Sequence, residues 1–309
     1  MRSLVSASLG LALGAVQVGG CSSKPARPNA VPTIPPQRIV TIAPNAAEIV
    51  AALGAADRLV GVSEFCVYPP ALTALPKVGG LFNPDLEAIL NLKPDLVIVR
   101  GSVPEVERLC RTSGIRLYQD PTEKLEDIFT TIRQLGAILD RREAADALEK
   151  KMRSGIAQIT TAVEGLPRPR VFFSIARDPS SLSRVSSAGA GTFVDSLITL
   201  AGGENIFGHL EVAYPEISLE AILTAQPDVI IEAMPEKKLT GDLKRQVVQQ
   251  WRSLGRMPAT RDGHIYILTS QHLLIPSPRV VGSIAMIADL LHPGVLHGGR
   301  TQTQEAGLD

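Results

Sequence analysis

Five histidines, at positions 209, 264, 272, 292 and 297, are the side chains best suited to neutral-pH proton transfer or metal ligation. No two stand at ligand spacing, and no HExxH occurs. The three cysteines, at 21, 66 and 110, make no CxxC and no Cys/His zinc pattern. Nor is there a GxxxxGK[ST] phosphate loop, a GxGxxG after a strand, or a GxSxG elbow; Gly189-Ala190-Gly191 reads as a turn. These absences argue against nucleotide, hydrolase and zinc chemistry. The expectation is therefore a non-enzyme with no catalytic residue, no metal of its own and no intrinsic cofactor. What remains is adhesive. Phe65 and Tyr68 lie in 63–70 (SEFCVYPP), Phe82 follows Gly79-Gly80, and Tyr214 precedes Pro215. Rings are scarce, with seven Phe, four Tyr and one Trp, so rings in loops suit a flat, partly apolar ligand; cover for the core is the competing reading for each.

The elements that must position these residues are α/β. The run 39–42 (IVTI) is a β-branched strand ended by Ala43-Pro44, and Asn45 is expected to cap a helix through Leu53. Strands follow at 59–62 and at 96–99, the latter a continuous apolar run expected of a strand buried on both faces. A duplication organises the rest: 86–98 (LEAILNLKPDLVI) and 219–231 (LEAILTAQPDVII) are identical at eight of thirteen positions. Each copy also opens with a strand, at 38–42 and 170–175. The fold class expected is two Rossmann-like lobes with parallel sheets, 37–139 and 167–293, and a ligand cleft between them. Between the lobes, 140–166 holds a long helix with the apolar stripe Ala144, Leu148, Met152, Ile156 and Ile159. Parallel sheets take ligands at their carboxyl ends, which points to segments 43–45, 63–68, 100–102, 176–180 and 269–275. Asn45, Arg177 and His272 in those segments join the candidate ligand-binding residues Phe65, Tyr68, Phe82 and Tyr214.

Lys plus Arg equals Asp plus Glu, 31 of each, so nothing draws the chain toward nucleic acid or anionic lipid. The first 20 residues read as a secretory signal: Arg2, an apolar middle, and Val18-Gly19-Gly20 before Cys21. That ending resembles a lipoprotein cleavage site with Cys21 as the lipidated residue. Residues 21–36, rich in Ser and Pro, then read as a tether, and 294–309 as a disordered tail. In an oxidising compartment Cys66 and Cys110 could pair, although Cys110 in a helical stretch reads as a buried free thiol.

The segments RIVTIAPNAAE from Arg38, VGVSEFCVYPP from Val60, KVGG from Lys77, NPDLE from Asn83 and KPDLV from Lys93 resemble ABC-importer substrate-binding proteins for cobalamin, ferric siderophores and haem. GGENIF at 202–207 and Ser277-Pro278-Arg279 also fit, so the resemblance spans roughly 37–292. It implies two lobes bridged by one rigid helix, with the cargo clamped between them. It also implies that Glu87 and Glu220, one per duplicated helix, dock into the permease; compensation of the helix dipole is the competing role. The aromatic positions of the cobalamin-binding member map onto Phe65, Leu81 or Phe82, and Tyr214. The family's pocket tryptophans are here Leu81/Phe82 and Tyr214, and a charged pair in the last loop is Gln271 and Ile275. For haem, His272, Tyr68 or Tyr214 would be the axial candidates; for siderophores, Arg100, Arg177 and Arg184 would serve. The expectation is a monomeric, lipid-anchored, extracytoplasmic binding protein that delivers a metal chelate, cobalamin first, to a permease and its ATPase. Rival readings are a tetrapyrrole-handling enzyme and a scaffold lipoprotein.

Overall fold

The computed structural model describes residues 34–178, 180–235, 240–255 and 257–296. The signal over 1–20, Cys21, the tether up to residue 33, His297 and the tail beyond 296 lie outside the described residues.

The first lobe runs β1 (Ile39–Thr41), α1 (Pro44–Ala52), β2 (Leu59–Val62), α2 (Leu86–Asn91), β3 (Leu96–Arg100), α3 (Pro104–Ser113), β4 (Arg116–Asp120) and α4 (Leu125–Ile138). Its strands form one parallel sheet in the order β2-β1-β3-β4, with Thr41 opposite Ile98 and Ile98 opposite Tyr118. Helix α5 (Arg142–Val163) leads into β5 (Arg170–Ser174), β6 (Ala176–Arg177), β7 (Val185–Ser186), α6 (Phe193–Leu200), β8 (Glu204–Asn205) and β9 (Glu216–Ile217). Then come α7 (Leu219–Ala225), β10 (Val229–Ala233), α8 (Gly241–Ser253), α9 (Pro258–Asp262), β11 (Ile265–Leu268) and α10 (Val280–Leu291). The second parallel sheet is ordered β11-β10-β5-β8, and β6-β7-β9 form a small antiparallel sheet. No helix among the described residues is long and apolar enough to cross a membrane.

The duplicated segment works the same way in both lobes. Asp85 caps α2 by accepting from the Ala88 amide at 2.9 Å, and Ser218 caps α7 by accepting from Ala221 at 3.2 Å. The Pro-Asp that follows then staples the neighbouring strand. Asp95 accepts from the Gln37 and Arg38 amides at 2.8 and 3.0 Å, and Asp228 accepts from Arg170 at 2.9 Å. One carboxylate thus starts β1 beside β3, and its copy starts β5 beside β10.

Helix α5 is unbroken over 22 residues, about 33 Å at 1.5 Å per residue. It begins at Arg142 and not at residue 140, because Asp140 sits in the left-handed region, φ 55°, and turns the chain out of α4. Met152 and Ile159 are buried, while Ala144, Leu148 and Ile156 are partly buried against the same core. That core is continuous through both lobes. It joins Ile39 and Ile49 to Met152 of α5 and on to Val171 and Ile284.

One expectation is corrected. Asn45 does not cap α1: Pro44 occupies the first turn and the N-cap is Ala43, with no side-chain bond. Cys66 and Cys110 do not pair; both are free, buried thiols in separate clusters, and burial pushes them up to about 12 and about 11.

Candidate functional site

Loops of the two lobes meet where Tyr214 stands beside Arg100 and Glu123, and each lobe contributes exposed aromatic rings. After β2, buried Cys66 anchors the loop that carries Phe65, 52% exposed, and Tyr68, 44% exposed. The Phe65 ring lies on the backbone of Gly80, where an added Cβ would stand 2.8 Å from Cε2. Phe82, two residues on, is 97% exposed. On the opposite lobe Tyr214 is 42% exposed, and Val212 nearby is also open to solvent. Tyr214 stands beside Arg100 and Glu123 of the first lobe. Burial and Glu123 raise its phenol pKa, and Arg100 opposes them.

On the other flank the lobes are clasped by charge. Glu48 of α1 is 5% exposed and accepts from Arg279 Nε at 2.8 Å and Ser277 Oγ at 2.6 Å; Arg279 Nη2 donates to its other oxygen. The guanidinium carbon lies 4.2 Å from the centre of the Tyr68 ring. Tyr68 therefore presents one face to Arg279 and not to open solvent. His272, half-buried in the 3₁₀ turn Gln271–Leu274, sits in the same field. Burial and Arg279 lower its pKa while Glu48 raises it. A cavity of 660 Å³ opens here, lined by Tyr68, Pro69, Met152, Gly155, Pro278 and Arg279.

A second cavity, 340 Å³, lies over the carboxyl ends of β5 and β10. Arg177 lines it, with a side chain only 1% exposed and Nε 2.8 Å from Glu232 Oε1. Ser174 Oγ donates to the same oxygen at 3.1 Å and Trp251 Nε1 to the other at 2.9 Å. Burial raises the Glu232 pKa; Arg177 is the chief opposing influence, followed by the Trp251 and Ser174 bonds.

The structure separates the expected site residues into groups. Phe65, Phe82 and Tyr214 are exposed on the rim of their own loops and line neither cavity. Tyr68 and His272 belong to the clasp, and Arg177 is inside the second lobe. Asn45 is not on the rim at all: it is 2% exposed, and its Nδ2 donates to Asp120 Oδ2 at 2.5 Å. Asp120 also receives Thr122 Oγ1 at 2.5 Å and Thr131 Oγ1 at 2.6 Å, so Asn45 is spent in fastening α1 to the end of β4. Arg184 is also away from any clasp, 80% exposed and paired loosely with Glu216. Glu87 and Glu220 are exposed in the first turns of α2 and α7. Among the described residues no three His, Cys, Asp or Glu side chains converge as a metal site. Sequence reasoning missed Glu48, Glu232 and Trp251 as members of polar networks. The signal was present: a lone Glu inside PNAAEIVAA and another inside VIIEA each demand a buried partner.

A model of the periplasmic binding protein family matches residues 39–272. The chain belongs to that family. As a periplasmic binding protein it is 28% identical over 258 residues to the vitamin B12-binding protein of Vibrio parahaemolyticus serotype O3:K6, covering 82% of this chain and 89% of that one. Among solved structures it resembles the periplasmic vitamin B12 binding protein BtuF of Vibrio cholerae, with 28% identity, a TM-score of 0.70, and 83% of this chain and 97% of that chain covered. It is similar as well to a periplasmic heme binding protein from Pseudomonas aeruginosa, with 28% identity, a TM-score of 0.72, and 84% and 93% covered. The two parallel-sheet lobes joined through α5 are the architecture of this group of binding proteins.

Proposed function

We propose that this periplasmic binding protein captures cobalamin between its lobes and presents it to an ABC permease driven by a separate ATPase. Cys21 is the lipidated residue that tethers it outside the cytoplasm. It acts as a monomer and carries out capture and delivery without catalysis. Phe65 and Phe82 from one lobe and Tyr214 from the other grip the ligand's faces and edges. The observation that carries this reading is the pair of aromatic rims: scarce rings, exposed on loops of both lobes that approach each other at Tyr214 and Arg100. The vitamin B12-binding relatives support the choice of cobalamin. Haem is the second reading. Burial and Arg279 favour the neutral imidazole of His272, the form that ligates iron, and heme binding proteins are among the structural neighbours.

The absorbance spectrum of the purified protein, with titrations of cyanocobalamin, haemin and ferric siderophores, tests it. The expected result is a corrinoid spectrum and saturable cyanocobalamin binding. Phe65→Ala or Tyr214→Ala should weaken that binding by roughly 1–3 kcal/mol through lost ring contact. An unchanged Kd would assign these rings to covering the core, and no binding of any chelate would overturn the reading.

A further inference from the structure

Arg177 is almost wholly enclosed, with its side chain 1% exposed, yet one of its donors is unused. Nε is taken by Glu232, and Nη1 donates to the carbonyls of Asp178 and Ser181 at 2.9 and 3.2 Å. Nη2 is buried with no acceptor among the described residues. Buried donors are rarely left so, because the lost hydration is not repaid. The guanidinium cannot turn to relieve this. Glu232 fixes it from one side, and Glu232 is itself held by Ser174 and by Trp251, whose ring lies 5.7 Å from the Arg177 guanidinium carbon. The group borders the 340 Å³ cavity at the strand ends, where parallel sheets bind ligands.

Charge decides what the missing acceptor is. Glu232 already balances Arg177. The other cavity residues, among them Ile175, Ala176, Ala233, Met234 and Leu274, are apolar. A carboxylate entering here would be a second buried anion with no cation to meet it. A carbonyl oxygen brings the acceptor lone pairs without the charge. We infer that Arg177 Nη2 is reserved for a neutral carbonyl of the cargo, a carboxamide on the periphery of the chelate. Glu232 and Trp251 are the positioning residues that hold the guanidinium in place. This rests on the capture reading above and narrows the cargo to chelates bearing amides in place of carboxylates.

The chain has a single tryptophan, so the Trp251 indole N–H gives one resonance in an NMR spectrum, one residue removed from Arg177 through Glu232. The full chain is titrated with cyanocobalamin and haemin, read by absorbance. It is also titrated with acetamide and acetate as bare amide and carboxylate probes, read at the indole signal. Acetamide should shift that signal saturably and acetate should not. Cyanocobalamin affinity should fall about ten- to a hundredfold in Arg177→Met, and also in Arg177→Lys, which keeps the charge opposite Glu232 but lacks the Nη2 donor. Glu232→Gln, which removes the balancing charge, should let acetate in. The thermal midpoint confirms that each variant is folded. Cyanocobalamin affinity unchanged in Arg177→Lys, or acetate competing in the unaltered protein, overturns the inference. Haemin binding that depends on Arg177 overturns it while leaving capture intact. If no chelate binds, the capture reading falls, and the acetamide and acetate arms still decide the subsite.

Discussion

At the scale of single residues, the decisive feature is a carboxylate placed where apolar neighbours leave it no water. Glu48 meets this with Arg279 and Ser277, 231 and 229 residues away. Glu48→Gln removes the charge and leaves the guanidinium, whose side chain is 23% exposed, without its partner. The expected loss is about 2 kcal/mol in urea unfolding, less than the roughly 3–5 typical of a fully enclosed pair, because Arg279 keeps some water. His272 reports the same field. Its folded pKa is lowered, so on acidification the unfolded imidazole takes up a proton before the folded one does. Its contribution to stability is therefore complete above the ordinary imidazole pKa of about 6.5 and is lost as pH falls from there toward the folded value. NMR titration of the imidazole should place its midpoint below the ordinary value. It should lie lower still in Glu48→Gln, which removes the opposing carboxylate, and higher in Arg279→Gln. A midpoint at or above the ordinary value contradicts this account of the clasp.

At the scale of elements, α5 lies close against α10, and the approach is set by Gly155. An added Cβ there would stand 2.7 Å from Val281 Cγ1, a branched side chain with little freedom to turn aside. Gly155→Leu should cost roughly 1–3 kcal/mol despite the better helix propensity of leucine, because its Cβ can be seated only by pushing Val281, and α10 with it, aside. Val281→Ala in the same chain should return part of that loss. Full additivity of the two changes in urea unfolding would show that the helices do not meet where the structure puts them. The sequence disclosed α5, its stripe and both copies of the helix–Pro-Asp–strand unit, because each rests on local periodicity and on a turn chemistry repeated twice. It did not disclose the partners of Glu48, Glu232 or Asn45, which lie 229, 19 and 75 residues away in Ser277, Trp251 and Asp120. Only the fold brings those together. The same gap explains why Asn45, at a strand's carboxyl end in a segment typical of ligand loops, proved to be an internal fastening. Phe65 and Phe82, by contrast, are exposed as their loops predict, because exposure needs no distant partner.

At the scale of the whole molecule, three features hold the lobes at one spacing. One of the buried clusters joins both lobes from Ile39 to Leu291, α5 spans it as a rod, and the Glu48–Arg279 clasp is joined by the Phe193 amide donating to the Glu123 carbonyl at 3.2 Å. The two duplicated helices are thereby carried at a fixed separation, each with a glutamate exposed in its first turn. Two anions at a set distance are suited to registering a partner with paired cationic pockets, because one alone fixes position but not orientation. Glu87→Ala with Glu220→Ala should abolish uptake in cells that carry the permease and leave the Kd for cargo unchanged, with each single change giving a partial loss. If the glutamates serve only to offset their helix dipoles, the double variant should lose about 0.6–2 kcal/mol of stability in total. Uptake would then fall only with the folded fraction. Unfolding midpoints measured beside uptake separate the two. A normal midpoint with no uptake assigns the pair to docking, whereas a reduced cargo affinity would place at least one of them in the binding site and remove the docking role.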